Sequence, residues 1–124
     1  SKKTIDQVID EVFDFAELQD FRHDYIKTYS SGMYARLAFT VATSFQYDIL
    51  ILDEVFATGD AGFLAKARER MKRKMDESKI VVMVSHDSSI LREYCNRFIW
   101  LDKGKLVADR RDSSVIDEYL QAVS

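Results

Sequence analysis

The stretch "DILILDE" at positions 48–54 runs four apolar residues straight into two adjacent carboxylates, Asp53 and Glu54. Charge beside a buried strand is costly unless it has a partner or a task. Neighbouring strand residues point to opposite sides, so the two acids can address different atoms. One can hold Mg2+, usually through water, and the other can orient an attacking water. A strand that simply runs out into solvent would give the same letters. A second apolar run, "KIVVMVSHD" at 79–87, closes on Ser85-His86-Asp87. A histidine at a strand end is most often structural, and Ser or Asp there commonly caps the next helix. A crossover of ordinary length would set this strand beside the first, and His86 could then reach the pocket of Glu54 and polarise a phosphate. In "YSSGMYARLAF" at 29–39, two serines and a glycine precede helical apolar spacing. They suit an N-cap, or half of a phosphate-binding surface.

These residues need a scaffold. The chain has 124 residues, the length of about one domain, with 47% hydrophobic content and a net charge of −3 from 18 basic and 21 acidic residues. That composition argues against disorder and shows no charge excess that would point to nucleic acid. The single cysteine, Cys95, cannot form an internal disulfide and reads as a buried thiol among Leu91, Tyr94 and Phe98. The apolar runs fall far short of the roughly 20 residues of a membrane span, so no direct membrane insertion is expected. No signal peptide is visible, and a start at Ser1 without methionine is consistent with a piece of a longer protein.

Periodicity predicts helices over about 4–18, from about 31, and over about 60–76, 87–95 and 112–123. Thr4 with Gln7 has the form of a capping box, and Asp60 suits the N-cap of the third helix. The expected inward residues are Ile5, Val8, Ile9, Val12 and Ala16 in the first helix. In the second they are Leu37, Ala38, Val41, Ala42 and Phe45, and in the third Leu64, Ala67, Met71 and Met75. The basic residues of the third helix, Lys66, Arg68, Arg70, Lys72, Arg73 and Lys74, read as a solvated face, and His23 as surface. Buried strands are expected at 49–53 and 80–85. A third, "RFIWLD", should return antiparallel through "DKGK", with Gly104 at positive φ. Strand–helix–strand units imply an α/β fold with a mostly parallel sheet and flanking helices, whose ligands sit at strand carboxyl ends. One phosphate-binding element is missing from these 124 residues: they contain no G-x-x-x-x-G-K-[S/T].

"YSSGMYAR", "DILILDE", "ATGD" and "VSHD", in that order, resemble the second half of an ABC transporter ATPase subunit. Ser30, Ser31, Gly32 and Met33, after Tyr29, look like the signature motif. Asp53-Glu54 looks like the Walker B pair, Ala57 to Asp60 like the D-loop, and His86 like the switch histidine. Departures are Val55 for the usual proline, Tyr, Ser and Met in the signature, and Gly59 in the D-loop. The wording is similar to the subgroup that exports polysaccharide such as O-antigen, capsule and teichoic acid. The resemblance implies a partial P-loop NTPase-type fold, with residues 1–46 in the helical subdomain and 47–124 in the ATPase core. It also implies ATP and Mg2+, a second ATPase subunit, a transmembrane permease partner, and a cytoplasmic location at the inner membrane face. By position, Asp53 would help hold Mg2+, Glu54 would polarise water and His86 would touch the γ-phosphate. Ser30 and Gly32 would contact ATP held by the other subunit, and Asp60 would couple the two sites. Without a Walker A loop, the chain alone is expected to bind ATP weakly or not at all and to be inactive. The competing readings are a non-catalytic interaction or dimerisation module, and the rear lobe of a chromosome-maintenance ATPase. The latter would need sustained heptads that residues 5–16 do not provide.

Overall fold

A computed structural model of the chain describes residues 3–54 and 60–124. The chain forms two compact units, Ser1–Val82 and Met83–Ser124, with the boundary falling inside a strand.

In the first unit, helix α1 spans Ile5–Phe15, and two short 3-10 turns, Gln19–Phe21 and Ile26–Thr28, lead to α2, Ser31–Ala42. Strand β1 is Ile49–Asp53, α3 is Ala61–Glu77 and β2 is Ile80–Val84. The α1 start is the expected capping box: Gln7 N–H donates to Thr4 Oγ1 at 3.2 Å, and Thr4 N–H donates to Gln7 Oε1 at 2.9 Å. Its end is a Schellman turn. Glu17 takes a left-handed φ of 61°, Leu18 N–H reaches Phe13 O at 3.0 Å, and Glu17 N–H reaches Asp14 O at 3.2 Å. Leu18 then closes a core with Val12, Ala16 and Leu37.

β1 and β2 pair in a two-stranded parallel sheet. Both strands begin at the same level, where Lys79 and Ile80 N–H groups donate to Asp48 O at 2.9 and 3.0 Å. The expectation of buried strands is only half met. Leu50 and Leu52 are buried, but Ile49 and Ile51 are 58% and 69% exposed, and Ile80 and Val82 are exposed with them. Alternate residues of a strand face opposite ways, and the described residues of this unit cover one face of the pair.

The helix faces also shift from the apolar stripes. Ile5 and Ile9 of α1 and Val41 of α2, with Phe45 beyond it, are exposed, while Thr40 and Thr43 are buried. Both threonines bond backward to carbonyls of the preceding turn, Thr40 Oγ1 to Arg36 O at 2.7 Å and Thr43 Oγ1 to Phe39 O at 2.8 Å. A hydroxyl so satisfied can be buried without the cost of an unpaired donor. In α3, Phe63, Ala67 and Met71 are buried. Lys66 and Arg70 are not the solvated cations expected: both turn onto the carboxyl ends of α1 and α2.

The second unit holds α4, Ser88–Tyr94, β3, Phe98–Asp102, β4, Lys105–Arg110, and α5, Ser114–Val123. β3 and β4 form an antiparallel hairpin, with Asp102 opposite Lys105 and a register shift between Trp100 and Leu101. The two-residue turn has φ of 49° at Lys103 and 77° at Gly104. Two positive φ values in a two-residue loop match the twist of the flanking strands. Phe98, Ala108, Val115 and Ile116 make the core, with Cys95 half-buried against it and Tyr119 edge-on to Trp100 at 5.7 Å. Burial pushes the Cys95 thiol pKa up. Arg97 grips Asp109 through two bonds of 2.9 and 2.7 Å, which holds that carboxyl below its usual range.

Candidate functional site

The amino end of α2 carries the first group of candidate residues. Ser30 stands outside the helix in extended backbone, and its Oγ accepts the Met33 N–H at 3.1 Å. The first intrahelical bond runs from Tyr34 N–H to Ser30 O at 2.9 Å. Of the first-turn amides, helix geometry leaves those of Ser31 and Gly32 with no acceptor in their own helix. Ser30 has only used an acceptor lone pair, so its O–H remains a donor. Met33 and Tyr29 serve packing: both lie half-buried against the α1–α2 core, and the Tyr29 hydroxyl donates to Phe21 O at 2.8 Å.

Among the described residues, nothing sterically requires glycine at position 32. A Cβ added there would meet only the tip of Arg36, 3.8 Å away, which is ordinary contact. Its backbone is not in the left-handed region either. Glycine in a helix interior is weaker than alanine, and no contact among the described residues offsets that here. Two free amides, one free hydroxyl and a bare backbone at a helix amino end are the chemistry of an anion contact made at close range.

The second group sits at the carboxyl end of β1. Asp53 and Glu54 are exposed and line one edge of a groove of about 540 Å3. The rest of the groove is mostly apolar, with Phe39 and Ala42 of α2, Ile49–Leu52 of β1 and Met71 of α3, and Thr43 and Tyr47 also line it. Ser30–Met33 are not part of its lining. Glu54 has a φ of 54°, the left-handed region. For a non-glycine residue such a conformation costs on the order of 1 kcal/mol or more, and it occurs preferentially at sites where a side chain must be aimed. Among the described residues no group of three or more His, Cys, Asp or Glu side chains is placed to hold a metal. Asp53 nonetheless suits Mg2+, which keeps most of its waters and is commonly held by one or two carboxylates together with substrate phosphates.

Asp60 fulfils its structural expectation: its Oδ1 accepts the Phe63 N–H at 2.8 Å and caps α3. The rest of the "ATGD" segment, Ala57 to Gly59, lies outside the described residues, as does Val55. His86 is exposed between β2 and α4 in the second unit. Its neighbours order the turn, with Asp87 N–H donating to Ser85 Oγ and Ser89 N–H to Asp87 Oδ1, both at 3.0 Å. His23 is exposed, as expected.

Comparison with known proteins bears on what these groups serve. No family model matches the chain. It is 40% identical over 119 residues to a teichoic acids export ATP-binding protein of Lactococcus lactis, covering 96% of this chain and 26% of that protein. It is 45% identical over 104 residues to an O-antigen export system ATP-binding protein of Yersinia enterocolitica, covering 84% and 44%. The chain is homologous to ABC exporter ATP-binding subunits. Solved structures agree on the fold. The ATP-binding subunit of an ABC transporter superposes with a TM-score of 0.70 at 19% identity, over 92% of this chain and 48% of that one. An ATP-binding cassette in its ADP conformation gives 0.58 at 17% identity, over 98% and 48%. The chain thus spans half or less of the length of these relatives.

Sequence reasoning missed Lys66 and Arg70. Both were counted as part of a charge run, and the groups they serve lie tens of residues away, on helices that have no basic residue in their own last turns.

Proposed function

We propose that this chain is the signature-bearing part of an ATP-hydrolysing subunit that powers export of a cell-surface polysaccharide, working as a head-to-tail pair. The observation that carries the proposal is the amino end of α2. Its amides and the Ser30 hydroxyl are presented outward, and Gly32 is unexplained by any contact among the described residues. That is what a surface needs when its anion is held by another subunit.

Each residue has a distinct task in this reading. The Ser31 and Gly32 N–H groups and the Ser30 O–H donate to the γ-phosphate of ATP bound on the facing subunit. Donors fixed by a helix start need little reorganisation as charge develops on the transferring phosphoryl group. Asp53 holds Mg2+ through water, and the ion would offset charge on the phosphates. The Glu54 carboxylate accepts a hydrogen bond from the attacking water and orients it in line. His86 donates to the γ-phosphate. Asp60 spends one carboxylate oxygen on capping α3 and keeps the other for the opposite subunit. Residues 1–46 belong to the helical part of the domain and 47–124 to its catalytic core.

No helix among the described residues is long and apolar enough to cross a membrane. In this reading the subunit works with a transmembrane permease, peripherally at the cytoplasmic face. A nucleotide pair needs both a signature and a phosphate-cradling loop, and these 124 residues hold only the first. By itself the chain should bind Mg–ATP weakly or not at all. The test of the reading is steady-state hydrolysis by the full-length protein and its Glu54→Gln variant. Turnover should fall by at least 100-fold while nucleotide still binds. Equal turnover in the two proteins would remove Glu54 from the mechanism.

A further inference from the structure

We infer that Arg70 is a positioning residue for ATP hydrolysis: it bolts the carboxyl end of the signature helix α2 onto α3. The inference rests on the ATPase reading above and adds to it a residue that no motif contains. Arg70 Nε donates to Thr43 Oγ1 at 2.7 Å, and Nη2 donates to Ser44 Oγ at 3.1 Å and Thr40 O at 3.3 Å. Its guanidinium lies over the Phe15 ring at 4.2 Å. One side chain thereby joins α3, the end of α2 and the end of α1.

The electrostatics favour this placement. A helix carboxyl end carries partial negative charge and unsatisfied carbonyls. Neither α1 nor α2 has a basic residue in its own last turn. Arg70 supplies that cation to α2. Lys66, one turn earlier on α3, supplies it to α1 by donating to Phe15 O at 2.6 Å. Burial lowers the Arg70 pKa, as does the nearby charge of Arg73, while Glu11 acts in the opposite sense. The planar fork can make three directed bonds and stack at once, which an ammonium cannot.

The position of the clamp gives it leverage. From Thr43 back to Ser30 is about 20 Å at 1.5 Å per helical residue, and from Arg70 back to Asp60 about 15 Å. α2 leads from the clamp to the proposed phosphate-contacting residues, and α3 leads back to its cap at Asp60. A pivot of about 5° at the clamp would move the α2 amino end by about 1.7 Å over that length. Displacements of that size are enough to spoil alignment of a reacting group.

The experiment uses the full-length protein with Arg70→Met, Arg70→Lys, Thr43→Val and the Arg70→Met/Thr43→Val pair. Steady-state hydrolysis, ADP binding and the unfolding midpoint are read for each. Arg70→Met should lower kcat at least tenfold with ADP affinity within about threefold of the parent. Arg70→Lys should recover only part of the rate. Thr43→Val should lower kcat about threefold, and the pair should be no worse than Arg70→Met alone, because both variants break one junction. Unchanged kcat in Arg70→Met overturns the proposal, as does parallel loss of kcat and ADP binding. If Arg70→Met does not fold, Thr43→Val decides, and a parental kcat there overturns it. Absence of hydrolysis by the unmutated protein would overturn the ATPase reading itself, and this proposal with it.

Discussion

Gly32→Ala should separate folding from function through a single methyl group. Among the described residues the added Cβ faces only the flexible tip of Arg36 at 3.8 Å, and the backbone is not left-handed. Alanine is preferred over glycine by up to about 1 kcal/mol in a helix interior, and less in the first turn. A gain of about 0.5 kcal/mol follows, which raises the unfolding midpoint by about 1–4 °C for a domain of this size. In the proposed shared site the same methyl would crowd the approach of the phosphate to the Gly32 amide. Holding the phosphate off by about 1 Å should lower kcat on the order of 100-fold. The assays are scanning calorimetry and steady-state Mg–ATP hydrolysis on the full-length protein. Two results would refute the reasoning. A midpoint several degrees lower would make Gly32 a packing residue, and a kcat within twofold of the parent would leave the α2 amino end without a phosphate.

Further outcomes follow from neighbouring observations. Ser30→Asp keeps a good N-cap for α2, so the midpoint should hold within a few degrees. It also sets a negative charge against the phosphate, so hydrolysis should be lost; an unimpaired rate would contradict the assignment. Cys95, whose pKa burial raises, should react slowly with a thiol reagent at neutral pH and quickly once unfolded. The thiol form is the one favoured in the fold, so any stability it contributes is present below the unfolded pKa and is lost as pH rises through the folded value. Asp109 has the opposite sign: Arg97 depresses its pKa, so the pair persists above the ordinary carboxylate range and fails as pH falls through the folded value. Carboxyl NMR titration should show that low midpoint and its return upward in Arg97→Ala.

What could be read in advance was local. Thr4, Ser30, Asp60 and Asp87 cap helices because a short side chain reaches an amide two or three residues on. Glycine 104 marks a turn because of its own φ. The strands could be placed from their apolar runs, but not which faces they bury, since that depends on what packs over them. Ile49 and Ile51 look like core and stand exposed. The converse holds for Thr40, polar by type and buried because its hydroxyl bonds back to Arg36 O. Lys66 and Arg70 failed for a non-local reason. Their partners are 51 and 27 residues away, on helix ends whose need for a cation is invisible in a charge run. Asp53, Glu54, His86 and the α2 start stand out as candidates by residue type and spacing alone. The left-handed backbone of Glu54 does not, because an ordinary residue gives no sign of it.

In the proposed mechanism the α2 amino end and Glu54 act on nucleotide shared between two subunits. The most direct measurement is sedimentation of the full-length Glu54→Gln protein with and without Mg–ATP. The protein should be a monomer without nucleotide and a dimer with ATP, and adding Gly32→Ala should return it to monomer. A Glu54→Gln protein that binds ATP and stays monomeric, or a dimer indifferent to Gly32→Ala, would contradict that mechanism.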